Sequence, residues 1–157
     1  MNLGNIFEQF MEGLKQVATP PSGKSVAGGS GISYYMTALQ YKGVQYLSGG
    51  MSRAGVDCSG LVNLAAGQKT RVWDTNMNTS PPGNWMVAPV AKSSHDAFIF
   101  SLKQGDLLVW KGHCAFYAGN GQLFHARKPG TVVDFTSDLK VYWLPQKGYP
   151  TVYRQIF

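Results

Sequence analysis

Apolar residues recur at three- and four-residue steps through Leu3, Ile6, Phe7, Phe10, Met11, Leu14 and Val17. That spacing predicts an amphipathic helix over residues 1–18. Residues 19–31, with Pro20, Pro21, Gly23, Gly28, Gly29 and Gly31, break the pattern and read as a flexible linker. Residues 32–157 read as one domain. Within it, 33–41 is helical in pattern, 43–55 is a loop punctuated by glycines, and a short apolar helix runs over about 58–66. Residues 74–89 are rich in Asn, Pro and Gly and read as loop. From Gly105 the pattern changes to short apolar or aromatic runs between turns, which predicts strands at 107–110, 113–118, 123–126 and 131–135, with further strands at 141–143 and 152–156. Asn120-Gly121 marks a hairpin, since both positions tolerate positive φ. Helices first and antiparallel strands afterwards predict an α+β fold.

Length and charge add bounds. A chain of 157 residues is long enough for a core without disulfide staples. No apolar run approaches membrane-spanning length. The net charge is +6, and ten of the 14 basic residues follow Cys58 against five acidic ones. They are scattered, which points away from nucleic acid and suits an anionic surface such as a bacterial wall. The first residues lack the basic and apolar layout of a secretory signal, because no basic residue precedes Lys15 and Glu8 and Glu12 interrupt the apolar positions. Action outside the cytoplasm would then need another means of delivery.

The candidate chemistry centres on Val56-Asp57-Cys58-Ser59-Gly60-Leu61-Val62. A cysteine opening a helix meets unpaired N–H groups and a dipole that favour its thiolate. His113 is the candidate base and proton donor, and His125 the residue that orients it. Backbone N–H groups at the helix start, including that of Cys58, are available to a developing oxyanion. If residues 120 and 121 are the two turn residues, paired positions sum to 241, so His113 faces Lys128 and His125 faces Phe116. The two histidines then meet only diagonally or through a bulge, and only if both point to one face. Alternation puts Cys114 on the face opposite His113, as a small core residue, and makes a disulfide with Cys58 awkward. Zinc lacks its usual ligand spacing here. His95, among Lys92, Ser93, Ser94 and Asp96, reads as a surface residue. On residue chemistry alone, Tyr46 divides evenly between core packing and ligand contact, and Asp57 and Ser59 suit helix capping.

Three segments together resemble the NlpC-type family of cell-wall cysteine peptidases: residues 38–50 (ALQYKGVQYLSGG), 55–62 (GVDCSGLV), and 105–110 (GDLLVW) followed by the block from His113 to Ala126. The similarity extends from about Ile32 to the C-terminus. It implies a papain-like fold with the cysteine helix packed on an antiparallel sheet, and hydrolysis of a peptidoglycan stem peptide, usually between γ-D-glutamate and the diamino acid. It matches Cys58 to the nucleophile, His113 to the base and His125 to the third residue, with no metal or other cofactor. It matches Tyr46 to a tyrosine lining the cleft, and Asp57 and Ser59 to positions that recognise the stem's free amino terminus. Cys114-Ala115 departs from the small apolar pair usual after the base, and residues 69–104 do not align.

With no signal sequence, such an enzyme fits a secretion-system toxin, with an immunity protein and delivery machinery as partners, or a phage-associated lytic enzyme. Alternatives are a peptidoglycan amidase, whose relatives usually carry an acidic or amide third residue, and a non-catalytic phage-tail or wall-binding module.

Overall fold

The computed structural model describes residues 33–157. The predicted helix at 1–18 and linker at 19–31 lie outside the described residues. Helix α1, Tyr34–Leu39, starts at Ser33, whose hydroxyl accepts the N–H of Met36. The loop that follows holds a two-stranded ribbon, β1 (Met51–Ser52) and β2 (Gly55–Val56). The cysteine helix α2, Cys58–Ala65, follows directly, with Asp57 as its N-cap. Next come β3 (Trp85–Val87), α3 (His95–Ser101), β4 (Leu107–Trp110), β5 (His113–Gly119), β6 (Gln122–His125) and β7 (Asp134–Thr136). A π-helical turn, Leu139–Trp143, runs into α4 (Leu144–Lys147), and β8, Thr151–Gln155, closes the order.

Six strands form one antiparallel sheet in the order β3-β8-β4-β5-β6-β7. Alternation divides its side chains between two cores. On one face Leu107, Cys114, Phe116 and Phe124 pack with Leu39, Cys58, Leu61 and Trp73. On the other, Leu108, Trp110, Ala115 and Tyr117 pack with Phe98, Leu139 and Trp143. The helix-on-sheet α+β expectation holds. No helix among the described residues is long and apolar enough to cross a membrane.

Several local expectations change, and β3 arises inside the stretch 74–89 that reads as loop. Residues 141–143 are not a strand. The N–H groups of Tyr142 and Trp143 both return to the carbonyl of Asp138, and Trp143 turns into the core. Three apolar residues are too few to separate helical from strand periodicity. Residues 131–133 pair with the loop after α1, through Gly43 to Val133 and Tyr46 to Thr131, and β7 begins later than expected. Helix α3 arises where no element was predicted. Its start is marked by Ser94, which caps the N–H of Ala97, and by Asp96 in the first turn. His95, expected at the surface, is half-buried with its ring edge-on to Tyr149.

Candidate active site

Cys58 is the first residue of α2, only 9% exposed, and Cys114 of β5 lies beneath it in the same core. Both are free thiols. The Cys58 thiol hydrogen-bonds with Cys114 and with His113, the first residue of β5. Hydrogen bonding from Cys114 outweighs burial, and with the bond and charge of His113 it lowers the Cys58 pKa to about 5. Cys114, fully enclosed beside that thiolate, is pushed well up by burial and stays protonated. Its position opposite His113 matches the alternation, yet the residue does more than fill space. It is a donor to the sulfur above it.

The two histidines meet. His113 Nε2 lies 2.7 Å from His125 Nδ1. Asn120, at φ 53°, and Gly121, at φ 77°, form the turn as expected, with Gly119 opposite Gln122. A bulge between Tyr117 and Gly119 then shifts the register, so Phe116 faces Phe124 and His125 falls beside Ala115. The simple register would have turned His125 to the face of Phe116. Since a one-residue slip reverses a strand's faces, the bulge is what puts both imidazoles on one side.

A hydrogen-bonded chain continues from His125. Its Nε2 lies 2.9 Å from the Thr136 hydroxyl, which donates to Asp138 at 2.6 Å, and Arg127 binds the other oxygen of Asp138 at 2.7 Å. The proton positions follow from the end of this chain. The Asp138 carboxylate only accepts, so Thr136 donates to it and accepts from His125 Nε2–H. His125 Nδ1 is then a bare lone pair that accepts from His113 Nε2–H. His113 Nδ1 remains to face Cys58. Burial, then the nearby charge of His113, lowers the His125 pKa to about 3 and keeps that ring neutral. Burial alone would raise the Asp138 pKa, but bonds from Thr136 and Arg127 hold it below the usual carboxylate value. The His113 ring also stacks on Trp143, centroids 4.3 Å apart and planes 10° apart.

Tyr46, half-buried, sits near the thiolate. Burial first, then the charges of Cys58 and Asp57, raise its phenol. The Asp57 carboxylate accepts from Gly60 N at 2.7 Å, Gly49 N at 2.9 Å and Arg71 Nη2 at 2.8 Å. Arg71 also binds the Ser59 hydroxyl and the carbonyl of Gly50. Gly60 is required here, because a Cβ would strike the Gly50 carbonyl. Among the described residues, no group of three or more His, Cys, Asp or Glu side chains is placed to hold a metal.

Sequence reasoning missed Arg71, Thr136, Asp138 and Trp143. Arg71 lies in the segment that did not align, and residues 141–143 were read as strand. Thr136 and Asp138 had one usable signal: polar residues at the end of the strand that pairs with β6.

A thiol–imidazole pair at the meeting of a helix start and an antiparallel sheet defines a papain-like α+β domain. The model of the NlpC/P60 family matches residues 43–148, and the chain belongs to that family. Among solved structures it is similar to the NlpC/p60 domain of the peptidoglycan hydrolase SagA, at 26% identity over 79% of this chain and 97% of that one, with a TM-score of 0.51. It is also similar in fold to an NlpC/P60 family protein from Bacillus cereus (22% identity, 80% of this chain and 40% of that one, TM-score 0.57). A third is Rv1477, a hypothetical invasion protein of Mycobacterium tuberculosis (23%, 79% and 61%, TM-score 0.54). The chain therefore spans less than two thirds of the last two. No curated protein sequence matches it.

Proposed function

We propose that this protein is a peptidoglycan-hydrolysing cysteine endopeptidase that cleaves the stem peptide between γ-D-glutamate and the diamino acid. The observation that carries the reading is the hydrogen-bonded line from His113 through His125 and Thr136 to Asp138, with the lowered Cys58 thiol at its head. Family membership and the likeness to the domain of a peptidoglycan hydrolase support the substrate class. On this reading the enzyme acts in the bacterial wall or periplasm.

Cys58 is the nucleophile. Its thiolate attacks the scissile carbonyl, and the oxyanion forms against the N–H groups that open α2, including that of Cys58. His113 Nδ1 protonates the departing amine, leaving an acyl-enzyme. His113 then takes a proton from water, which attacks the thioester and frees the thiolate. His125, neutral, accepts from His113 Nε2–H and so orients the ring. Thr136 and Asp138 are positioning residues that hold His125 in that tautomer. Tyr46 lines the cleft. Asp57 and Ser59 recognise the amino-terminal side of the stem in concert with Arg71, so an incoming ammonium competes with the guanidinium for Asp57.

The test incubates the protein and a Cys58→Ala variant with stem-peptide fragments and identifies products by mass spectrometry. Cleavage between γ-D-glutamate and the diamino acid, lost in the variant, is expected. Scission at the sugar–stem junction would instead make it an amidase, and equal activity in both proteins would sink the thiol mechanism.

A further inference from the structure

One strand over from Cys114 lies a hollow of about 400 Å³ to which the reaction above assigns no role. Its wall is the segment 75–79, and its base includes Val109 of β4 and Thr151 and Tyr153 of β8. The register fixes how near it is to the nucleophile. Val109 is the cross-strand partner of Cys114 on one side and of Thr151 on the other. Thr151, Val109 and Cys114 therefore form a row on one sheet face at about 5 Å per strand, and Cys58 hydrogen-bonds to the last of them.

Its lining is specific in charge. Lys111, in the turn between β4 and β5, is the single charged residue, and no carboxylate lines it. Among the described residues, Lys111 forms no ion pair, and the side chains of Asn76, Asn78 and Thr151 make no hydrogen bonds with the rest of the chain. The wall is nevertheless built in advance. The indole of buried Trp73 donates to the Thr79 carbonyl at 3.1 Å, and Asp74 holds the N–H of Asn76 at 2.8 Å and, through its carbonyl, that of Met77 at 3.2 Å. A preformed polar hollow of this size, whose cation, amides and hydroxyls have no partner among the described residues, is suited to an anionic, hydrogen-bonding part of a ligand.

We infer that this hollow is a substrate subsite in which Lys111 binds a carboxylate of the peptide, so that the enzyme prefers acidic substrates to their neutral counterparts. The inference rests on the endopeptidase reading and deepens it. A stem peptide offers such a carboxylate in two places: on the side chain of a diamino acid of the diaminopimelate type, which lysine lacks, and at the C-terminus.

Four synthetic stem peptides separate these sources, with diaminopimelate or lysine at the diamino position and a free or amidated C-terminus. Steady-state kinetics are measured for the wild-type chain, Lys111→Met and Lys111→Arg. One of the two carboxylates is expected to lower KM about five-fold against its neutral counterpart, the scale of a solvent-exposed ion pair, with kcat little moved. Lys111→Met should bring that KM ratio to about one, and Lys111→Arg should restore it. The arm showing the ratio identifies the carboxylate. Equal KM for all four peptides in the wild type, or a ratio that survives in Lys111→Met, overturns the subsite while leaving the endopeptidase in place. Failure of the wild type to cleave any of the four overturns the endopeptidase reading, and this inference with it.

Discussion

At the scale of single residues, the reactivity of Cys58 depends on what surrounds its sulfur. With Cys114 and His113 both bonded to it, the pKa is lowered to about 5. Because the shift is downward, the thiolate is present above that pH and lost as the pH falls through it. Alkylation of the wild-type chain by iodoacetamide should therefore accelerate through about pH 5, where an ordinary cysteine would still be inert. The same scale separates positioning from packing at Thr136. Replacing its hydroxyl in Thr136→Val removes one hydrogen bond from His125. A bond worth ~1.4 kcal/mol corresponds to about a ten-fold fall in kcat. KM should hold, Thr136→Ser should recover the rate, and the pH dependence of alkylation should not move. An unchanged kcat in Thr136→Val would show the hydroxyl to be dispensable for positioning.

At the scale of elements, α2 is positioned by polar anchors as well as by its apolar face. Asn63 is fully buried. Its amide donates to the carbonyls of Ser59 and Trp73, both at 2.8 Å, and accepts the N–H of Val72 at 3.0 Å. These bonds tie the helix to the irregular segment that carries Arg71 and leads into the wall of the hollow. Asn63→Ala leaves buried groups unpaired, at a cost of roughly 3 kcal/mol, which is about a 10 °C lower melting temperature for a domain of this size. Thermal unfolding followed by circular dichroism measures it, and a change within 2 °C, on the order of 0.5 kcal/mol, would contradict the anchoring. Elements were legible where the pattern was long or well punctuated. The α1 and α2 segments, the hairpin turn at Asn120-Gly121 and the core strands follow from periodicity and turn chemistry. The three-residue run at 141–143 was too short to define a period, and α3 carries contiguous apolar residues where a helical stripe would be spaced.

Across the whole molecule, β8 inserts into the sheet between the edge strand β3 and β4. The connection is secured by Asp106, 1% exposed, which takes two bonds from Arg154 of β8 at 2.8 and 2.9 Å and the N–H of Lys103 at 2.8 Å. Asp106→Ala strands the Arg154 charge and is expected to cost about 3 kcal/mol in denaturant unfolding, with Asp106→Asn intermediate. An unchanged midpoint would show the pair to be dispensable. The sequence by itself determined which groups are candidates for the chemistry: a cysteine opening a helix, two histidines flanking a two-residue turn, and the motif order that matched a family. Those are local facts, set by residue type, capping and period. Only the tertiary structure decided the partnerships. A one-residue bulge turned His125 toward His113, an arginine from an unaligned segment reached Asp57 and Ser59, and Thr136 with Asp138 fixed the proton on each imidazole nitrogen. Cys114, legible only as a small core residue, became a donor to the Cys58 sulfur because α2 packs over it. Contacts between distant segments depend on register and packing, which residue spacing along one strand does not encode.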